Sequence, residues 1–238
     1  GIVPPDKTTI DYVKSRTDRP FDPVWSDADA EYDLEFNFDV SDLVPQVVPG
    51  PDRDNVHPIS ELEGEHIDRG FIGSCENSYM SDLRVAAKIL KGRKINPAVQ
   101  LNITPGSVEI YKQALKEGLI EIFADADAMI APPNCGMCWG ANTPLNAGET
   151  VASTNTCNYR GRMGSRDGHI ILMSPATAAA SCIEGKITDP RKFLAQKASS
   201  LRRGTICLEH LFPGKCRETP GYLGTRWMWT GTSFPLNP

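Results

Sequence analysis

The chain has 238 residues, with 25 lysines and arginines against 30 aspartates and glutamates, and a formal net charge of −5. It contains no run of basic residues, so neither nucleic acid nor an anionic membrane is expected as a partner. The longest apolar runs, such as the one around residues 176–180, are far too short to span a membrane. Seven cysteines, an odd number, argue against a secreted disulfide framework and favour a reducing compartment, for which we expect the cytoplasm.

Residues 1–66 are predicted to form an N-terminal helix, an edge strand and a proline-rich connection. Asp6 is a suitable N-cap for a helix over residues 7–16. Residues 34–40 alternate apolar and polar side chains, which predicts a half-buried strand. Residues 44–58 hold four prolines and are predicted to be an extended connection. The first residue is not methionine, and we expect the chain to be part of a longer protein.

Residues 67–197 alternate apolar strand segments with segments of helical periodicity. Strands are predicted at 67–74, 99–103, 128–131 and 169–173, and helices at 79–91, 107–117, from Ser174-Pro175 onward and after Asp189. This alternation predicts an α/β fold with a layered architecture, in which mainly parallel sheets are flanked by helices. Residues 198–238 show no periodicity and are predicted to be an atypical, poorly ordered tail.

The cysteines suggest a metal centre. Cys135 and Cys138 form a CxxC on one short loop, and Cys75 follows an apolar strand that ends in a glycine turn. Such a strand ending puts Cys75 at the edge of an α/β sheet where ligands gather. Three thiolates suit an iron–sulfur cluster that leaves one iron open for substrate. The spacing alone leaves a zinc site and a dithiol redox pair open as alternatives.

A loop rich in glycine and arginine occupies residues 153–164. Its arginines suit carboxylate recognition, because a guanidinium binds a carboxylate with two parallel hydrogen bonds. A solvated surface role is the competing interpretation for these arginines. The run of small residues from Ala176 to Cys182 predicts tight helix packing, with Cys182 as a packed thiol.

Taken together, these motifs resemble the aconitase superfamily, most closely the large subunit of 3-isopropylmalate dehydratase. The motifs occur in family order over about four-fifths of the chain. They are Gly1-Ile2-Val3-Pro4-Pro5-Asp6, Phe71-Ile72-Gly73-Ser74-Cys75-Glu76-Asn77, Asp82-Leu83-Arg84, Asn134-Cys135-Gly136-Met137-Cys138, Gly161-Arg162-Met163-Gly164 and Ser174-Pro175-Ala176-Thr177-Ala178-Ala179-Ala180.

The resemblance implies a [4Fe-4S] cluster held by Cys75, Cys135 and Cys138, with Asn77 supporting the cluster site. Arg162 matches a family arginine that contacts a substrate carboxylate. The implied activity is a hydro-lyase that isomerises a small hydroxy acid by dehydration and rehydration, as in leucine biosynthesis. Aconitate and homoaconitate hydratases are same-family alternatives, and a cluster-binding protein without turnover is another.

Three residues depart from the family pattern. Thr156 and Cys157 stand where an asparagine and a second substrate-binding arginine are usual, and Glu76 replaces a common threonine. The family also needs an N-terminal region and a swivelling domain, often a separate small subunit, and neither is visible here. We therefore expect the catalytic residues to lie mostly outside this chain, and the small subunit and the missing N-terminal region to be its partners.

Overall fold

A computed structural model describes residues 3–31, 36–73 and 75–194. The described residues fall into two compact units, one ending at Leu43 and one beginning at Val44. The predicted tail at 198–238 lies outside the described residues, as do residues 195–197. No helix in the described part of the chain is long and apolar enough to cross a membrane.

The first unit contains helix α1, Lys7–Lys14. As predicted, Asp6 caps it: the side-chain oxygen of Asp6 accepts a hydrogen bond from the backbone nitrogen of Thr9 at 2.7 Å. Trp25 donates its indole N–H to the carbonyl of Pro5, also at 2.7 Å. The Asp6 cap and the hydrogen bond from Trp25 to Pro5 are contacts near α1, and α1 itself buries no residue completely.

The strand predicted for residues 34–40 is wrong over the described residues 36–40, which have no strand pairing. Phe36 and Phe38 are 48 % and 61 % exposed and stack on one another with ring centroids 6.2 Å apart. Residues 34 and 35 lie outside the described residues. The alternating pattern does place the two rings on one side, but a strand also needs a neighbour to pair its backbone groups.

The second unit is built on a seven-stranded sheet in the order β2-β1-β7-β6-β3-β4-β5. Its strands are β1 (Gln46–Pro49), β2 (His57–Pro58), β3 (Arg69–Ile72), β4 (Gln100–Ile103), β5 (Met129–Ile130), β6 (Thr150–Ser153) and β7 (His169–Met173). The five strands from β3 to β7 pair in parallel, whereas β1 runs antiparallel to both β7 and β2. The predicted mainly parallel α/β fold is confirmed.

The helices of this unit are α2 (Ile59–Leu62), α3 (Met80–Leu90), α4 (Val108–Lys116), α5 (Leu119–Asp125), α6 (Pro175–Glu184) and α7 (Arg191–Leu194). Ser174 caps α6 through its hydroxyl, as predicted from Ser174-Pro175. Gly118, at φ +71°, turns the chain directly from α4 into α5, a helix that is not among those predicted from the sequence. A left-handed backbone conformation costs little free energy only for glycine, and Gly118 can therefore form this sharp junction.

The extended connection predicted for residues 44–58 is wrong, because this segment contributes β1 and β2 to the sheet. Val47 is fully buried and lies opposite Met173 of β7. Pro49 and Pro58 stand at the ends of their strands, where a missing N–H interrupts little of the ladder. The compact unit therefore begins at Val44, whereas the sequence reading placed the boundary at 66/67.

The two faces of the sheet are covered differently. Helices α3, α5 and α6 belong to the larger core, to which the sheet contributes Ile72, Leu101, Ile103, Ala152 and Ile171. Residues 177–182 of α6 are fully buried, Ala176 is partly buried, and α6 packs against α3 and β3, as the small-residue run predicts. A second core joins Phe71, Val151 and Ile170 of the sheet to Met137, Cys138, Leu145 and Met163 from the loops between β5 and β7. The CxxC loop is thus part of a packed layer.

Candidate functional site

The topology of the parallel strands singles out one point on the sheet edge. From β3 the chain moves outward to β4 and β5, and then returns to the other side of β3 to form β6 and β7. The order of the strands therefore reverses between β3 and β6. In open α/β sheets, ligands bind outside the carboxyl ends of the strands at such a reversal. Cys75 follows β3 there, and Thr154 and Asn155 follow β6.

Thr154 joins the ends of these two strands. Its buried hydroxyl accepts a hydrogen bond from the backbone nitrogen of Gly73 at 3.1 Å and donates to the carbonyl of Gly73 at 2.9 Å. The carboxamide of Asn77 donates to the carbonyl of Thr154. The segment that carries Cys75 is thus attached to the end of β6 on both sides of the cysteine, while Cys75 itself is exposed.

Cys135 and Cys138 lie on a single turn of 3-10 helix, Gly136–Trp139, in the segment after β5. The backbone nitrogen of Cys138 donates to the carbonyl of Cys135 at 2.8 Å. Cys135 is exposed and Cys138 is buried. Gly140 ends the turn at φ +84°, and a Cβ there would lie 2.8 Å from the nitrogen of Gly164. The backbone of Gly140 and that of Gly164 therefore approach each other closely.

Asn155 holds Cys138 to the end of β6, a contact that the sequence reading missed. The Nδ2 of Asn155 donates to the carbonyl of Cys138 at 2.8 Å, and the thiol of Cys138 donates to Oδ1 of Asn155 at 3.5 Å. Asn155 is 7 % exposed. The sequence offered one usable signal, an amide residue immediately after a short β-branched segment, but strand β6 was itself not predicted.

Arg162 is the second residue in contact with Cys138. Its Nη2 donates to the sulfur of Cys138 at 3.3 Å and its Nη1 donates to the hydroxyl of Tyr159 at 3.2 Å. The bond to Tyr159 is the main cause of a raised pKa of Arg162 and the Cys138 sulfur adds to it, so the guanidinium stays charged. Within the described part of the chain, its Nε is buried without a hydrogen-bond partner. The site therefore holds a fixed positive charge against one cysteine sulfur.

Two of the three residues that depart from the family pattern, Thr156 and Cys157, lie just beyond Asn155. Thr156 is exposed and Cys157 is partly buried, with the hydroxyl oxygen and the sulfur 4.0 Å apart. Cys157 and Arg162 belong to the same loop, and Cys157 occupies the position at which the resemblance implies a second arginine. The two histidines upstream make ordinary side-chain contacts: His57 bonds to Glu61 at 2.7 Å, and His66 bonds to Asp68 at 3.0 Å.

The donor types at this edge fit a sulfur-ligated, anionic group. Cys135 and Cys138 share one turn, and Cys75 follows the end of β3. Arg162 supplies a cation whose Nε–H has no hydrogen-bond partner among the described residues. Soft thiolates of this kind select zinc or iron–sulfur clusters. The structure brings Cys138 and Arg162 into contact. Over residues 3–31, 36–73 and 75–194, however, no three cysteine, histidine or acidic side chains are gathered closely enough to hold a metal ion.

Comparison with known proteins gives a consistent family. The aconitase family (aconitate hydratase) matches residues 55–185. The chain is 49 % identical over 195 residues to a 3-isopropylmalate dehydratase large subunit 1 from Methanopyrus kandleri, a match over 82 % of this chain and 47 % of that protein. It is 50 % identical over 195 residues to the protein of the same name from Archaeoglobus fulgidus, over 81 % of this chain and 46 % of the relative.

A third relative carries a different name. A probable methanogen homoaconitase large subunit from Methanosarcina mazei is 49 % identical over 193 residues, which is 81 % of this chain and 49 % of the relative. The chain thus spans about half the length of the curated relatives it matches. The Methanopyrus kandleri and Methanosarcina mazei relatives are both 49 % identical to this chain, so overall similarity does not distinguish a dehydratase from a homoaconitase.

Proposed function

Because this chain belongs to the aconitase family, we propose that it is the cluster-binding portion of a hydro-lyase of the 3-isopropylmalate dehydratase type, acting in leucine biosynthesis. The observation that carries this proposal is the meeting of Cys138 and Arg162 at the reversal of strand order. A cysteine sulfur and a carboxylate-binding group then stand side by side, as a site that joins a metal group to an organic acid requires.

We propose that Cys75, Cys135 and Cys138 hold a [4Fe-4S] cluster. When bound, such a cluster supplies a Lewis acid that polarises the hydroxyl of a hydroxy acid and so favours its loss as water. Cys138 is already fixed by Asn155 and Arg162, whereas Cys75 and Cys135 are exposed. The positive charge of Arg162 lies beside Cys138 and favours the binding of an anionic cluster there.

Arg162 is proposed to bind a carboxylate of the substrate. Its two hydrogen bonds now go to a thiol and a phenol, both weaker acceptors than a carboxylate, and its Nε has no partner. A carboxylate would accept stronger, charge-assisted and bidentate hydrogen bonds from these N–H groups. Cys157 in place of a second arginine removes a contact worth about 1.5–3 kcal/mol. Substrate carboxylates then depend more heavily on Arg162 and on other parts of the protein.

Homoaconitate hydration is the second candidate. The Methanosarcina mazei relative that is named a homoaconitase is as similar to this chain as the Methanopyrus kandleri dehydratase. Both are named large subunits, which supports a small subunit as the partner of this chain. We further propose that the small subunit and the N-terminal region of the longer relatives complete the active site, and that the protein acts in the cytoplasm.

The cluster is tested by anaerobic reconstitution of the full chain with ferrous iron and sulfide. We expect a broad visible absorption band in the parent chain that is lost in Cys75→Ser. The matched control is Cys182→Ser, which alters a thiol that is completely buried against the sheet. A band that survives in Cys75→Ser would refute the three-cysteine site and favour a dithiol pair or a two-cysteine metal site.

The activity is tested by complementation. The chain is combined with the N-terminal half of a longer relative and with its small subunit, and dehydration is measured for isopropylmalate, homocitrate and citrate. We expect turnover only in the complete mixture. Turnover by this chain alone would contradict the proposal that catalytic residues lie elsewhere. A bound cluster without turnover in any mixture would favour a cluster-binding protein that is not an enzyme.

A further inference from the structure

Two adjacent residues at the end of β6 contact both halves of the candidate site. Thr154 bonds to Gly73 and Asn77, on either side of Cys75, and Asn155 bonds to Cys138. We propose that Asn155 is a positioning residue for Cys138, and that the Thr154-Asn155 pair fixes the spacing between the Cys75 segment and the CxxC loop. The inference deepens the proposed function, on which its metal-binding consequence rests.

The hydrogen bonds of Asn155 fix its side chain in one orientation. Its Oδ1 accepts from the backbone nitrogen of Thr156 at 2.8 Å, and its own backbone nitrogen donates to the hydroxyl of Ser153 at 3.1 Å. Its Nδ2 is left to donate to the carbonyl of Cys138. Because that bond involves an amide and a backbone carbonyl, it persists whether the thiol of Cys138 is protonated or bound to metal.

The double contact also fixes the rotation of Cys138. Asn155 meets both the carbonyl and the sulfur of this cysteine, so the 3-10 turn cannot roll about its own axis without breaking one of the two bonds. Arg162 reaches the same sulfur at 3.3 Å. Outer partners of this kind orient metal ligands, and their removal typically lowers metal affinity about 10–100-fold.

Thr154 supplies the other half of the bridge. Only 1 % of its surface is exposed, and its hydroxyl acts as donor and acceptor toward the same residue, Gly73. A Cβ at Gly73 would lie 2.7 Å from the ring of Phe71 and 3.1 Å from the carbonyl of Thr104, so Gly73 itself is closely surrounded. The two residues that follow β6 therefore contact both the segment that carries Cys75 and the loop that carries Cys135 and Cys138.

Asn158 provides a matched comparison in the same loop. It is 2 % exposed, and its Nδ2 donates to the carbonyls of Val48 and Asp52, both at 3.2 Å. These bonds attach the loop to the segment at the end of β1. Asn158 therefore matches Asn155 in residue type, burial and use of its amide, but its amide bonds to no cysteine.

The experiment compares the parent chain with Asn155→Ala, Asn155→Asp and Asn158→Ala. Asn155→Asp keeps the shape of the side chain but removes the amide donor. In the reconstituted chains, both Asn155 variants should lose iron to a chelator at least about 10-fold faster than the parent. Asn158→Ala should lose iron at the parent rate. In the metal-free chains, alkylation of Cys138, measured by peptide mass spectrometry, should be severalfold faster in the Asn155 variants alone. Thermal unfolding of each variant is recorded alongside.

Two results would overturn the inference. One is alkylation of Cys138 at the parent rate in both Asn155 variants, and the other is an equal acceleration in Asn158→Ala, which would indicate general loosening of the loop. If the parent chain takes up no iron and sulfide, the proposed cluster fails, while the alkylation rates in the metal-free chains still decide whether Asn155 positions Cys138.

Discussion

The closure of the CxxC turn by Gly140 gives a quantitative prediction. Alanine at this position would keep a left-handed φ of +84°, which costs about 1–2 kcal/mol for a residue with a Cβ. The added Cβ would also lie 2.8 Å from the nitrogen of Gly164 and 2.9 Å from the carbonyl carbon of Met163. These are backbone atoms that cannot rotate away, and overpacking of this kind costs about 1–3 kcal/mol more.

Gly148→Ala is the matched control. Gly148 has nearly the same φ, +80°, but no atom lies within 4 Å of an added Cβ. Its substitution should therefore cost only the backbone strain of about 1–2 kcal/mol. We expect Gly140→Ala to be less stable than Gly148→Ala by about 1–3 kcal/mol in the free energy of unfolding.

The assay is urea unfolding of both variants followed by circular dichroism, with the midpoints compared at equal slope. Iron uptake is measured on the same samples, because Gly140 ends the turn that carries Cys138 and a shifted turn moves a proposed ligand. Equal stability of the two variants would refute the claim that Gly164 and Met163 leave no space at Gly140. If both alanine variants were as stable as the parent chain, the expected cost of a left-handed φ at Gly140 and Gly148 would be refuted.

Three further outcomes follow from other parts of the second unit. Burial raises the pKa of Cys182 to about 12, so this thiol should resist alkylation at neutral pH while the exposed Cys135 reacts, as peptide mass spectrometry would reveal. Gly70→Ala should destabilise the fold, because its Cβ would collide with the sulfur of Cys182; a parent-like unfolding midpoint would contradict this packing. Two hydrogen bonds from Arg84, at 2.7 and 2.8 Å, are the main cause that lowers the pKa of Glu117 from 4.5 to about 2. The lowered pKa of Glu117 adds stability above pH 4.5, and this stability is lost as the pH falls toward 2. The difference in unfolding free energy between the parent chain and Arg84→Gln should therefore shrink over that range. A difference that stays constant would refute the pairing of Arg84 with Glu117.

The sequence predicted most of the second unit because its signals are local. Ser174 before Pro175, Gly118 after a helical repeat and the apolar segment at His169–Met173 each depend on residues next to one another in the chain. Capping, left-handed glycine and side-chain periodicity act over a few residues, so they can be recognised without knowledge of the fold. The proposal of Cys75, Cys135 and Cys138 as cluster ligands likewise uses short motifs, and it stays a prediction.

The errors occurred where pairing partners decide the structure. Residues 36–40 carry a good strand pattern but have no neighbouring strand, whereas residues 46–49 contain a proline and yet pair with β7. Strand β6 is only four residues long and was missed, although it stands between β3 and β7. Strand formation depends on cross-strand neighbours that are distant in sequence, which a local pattern does not encode.

The sequence by itself determined the family and suggested the ligand types that we propose, since CxxC, Cys75 and the ordered motifs are matters of composition and spacing. Only the tertiary structure decided that Thr154 and Asn155 connect the Cys75 segment to the CxxC loop, and that Arg162 touches Cys138. The physical reason is the reversal of strand order between β3 and β6. It brings together the ends of strands separated by about 80 residues, and hydrogen bonds of about 3 Å form only after the whole sheet is assembled.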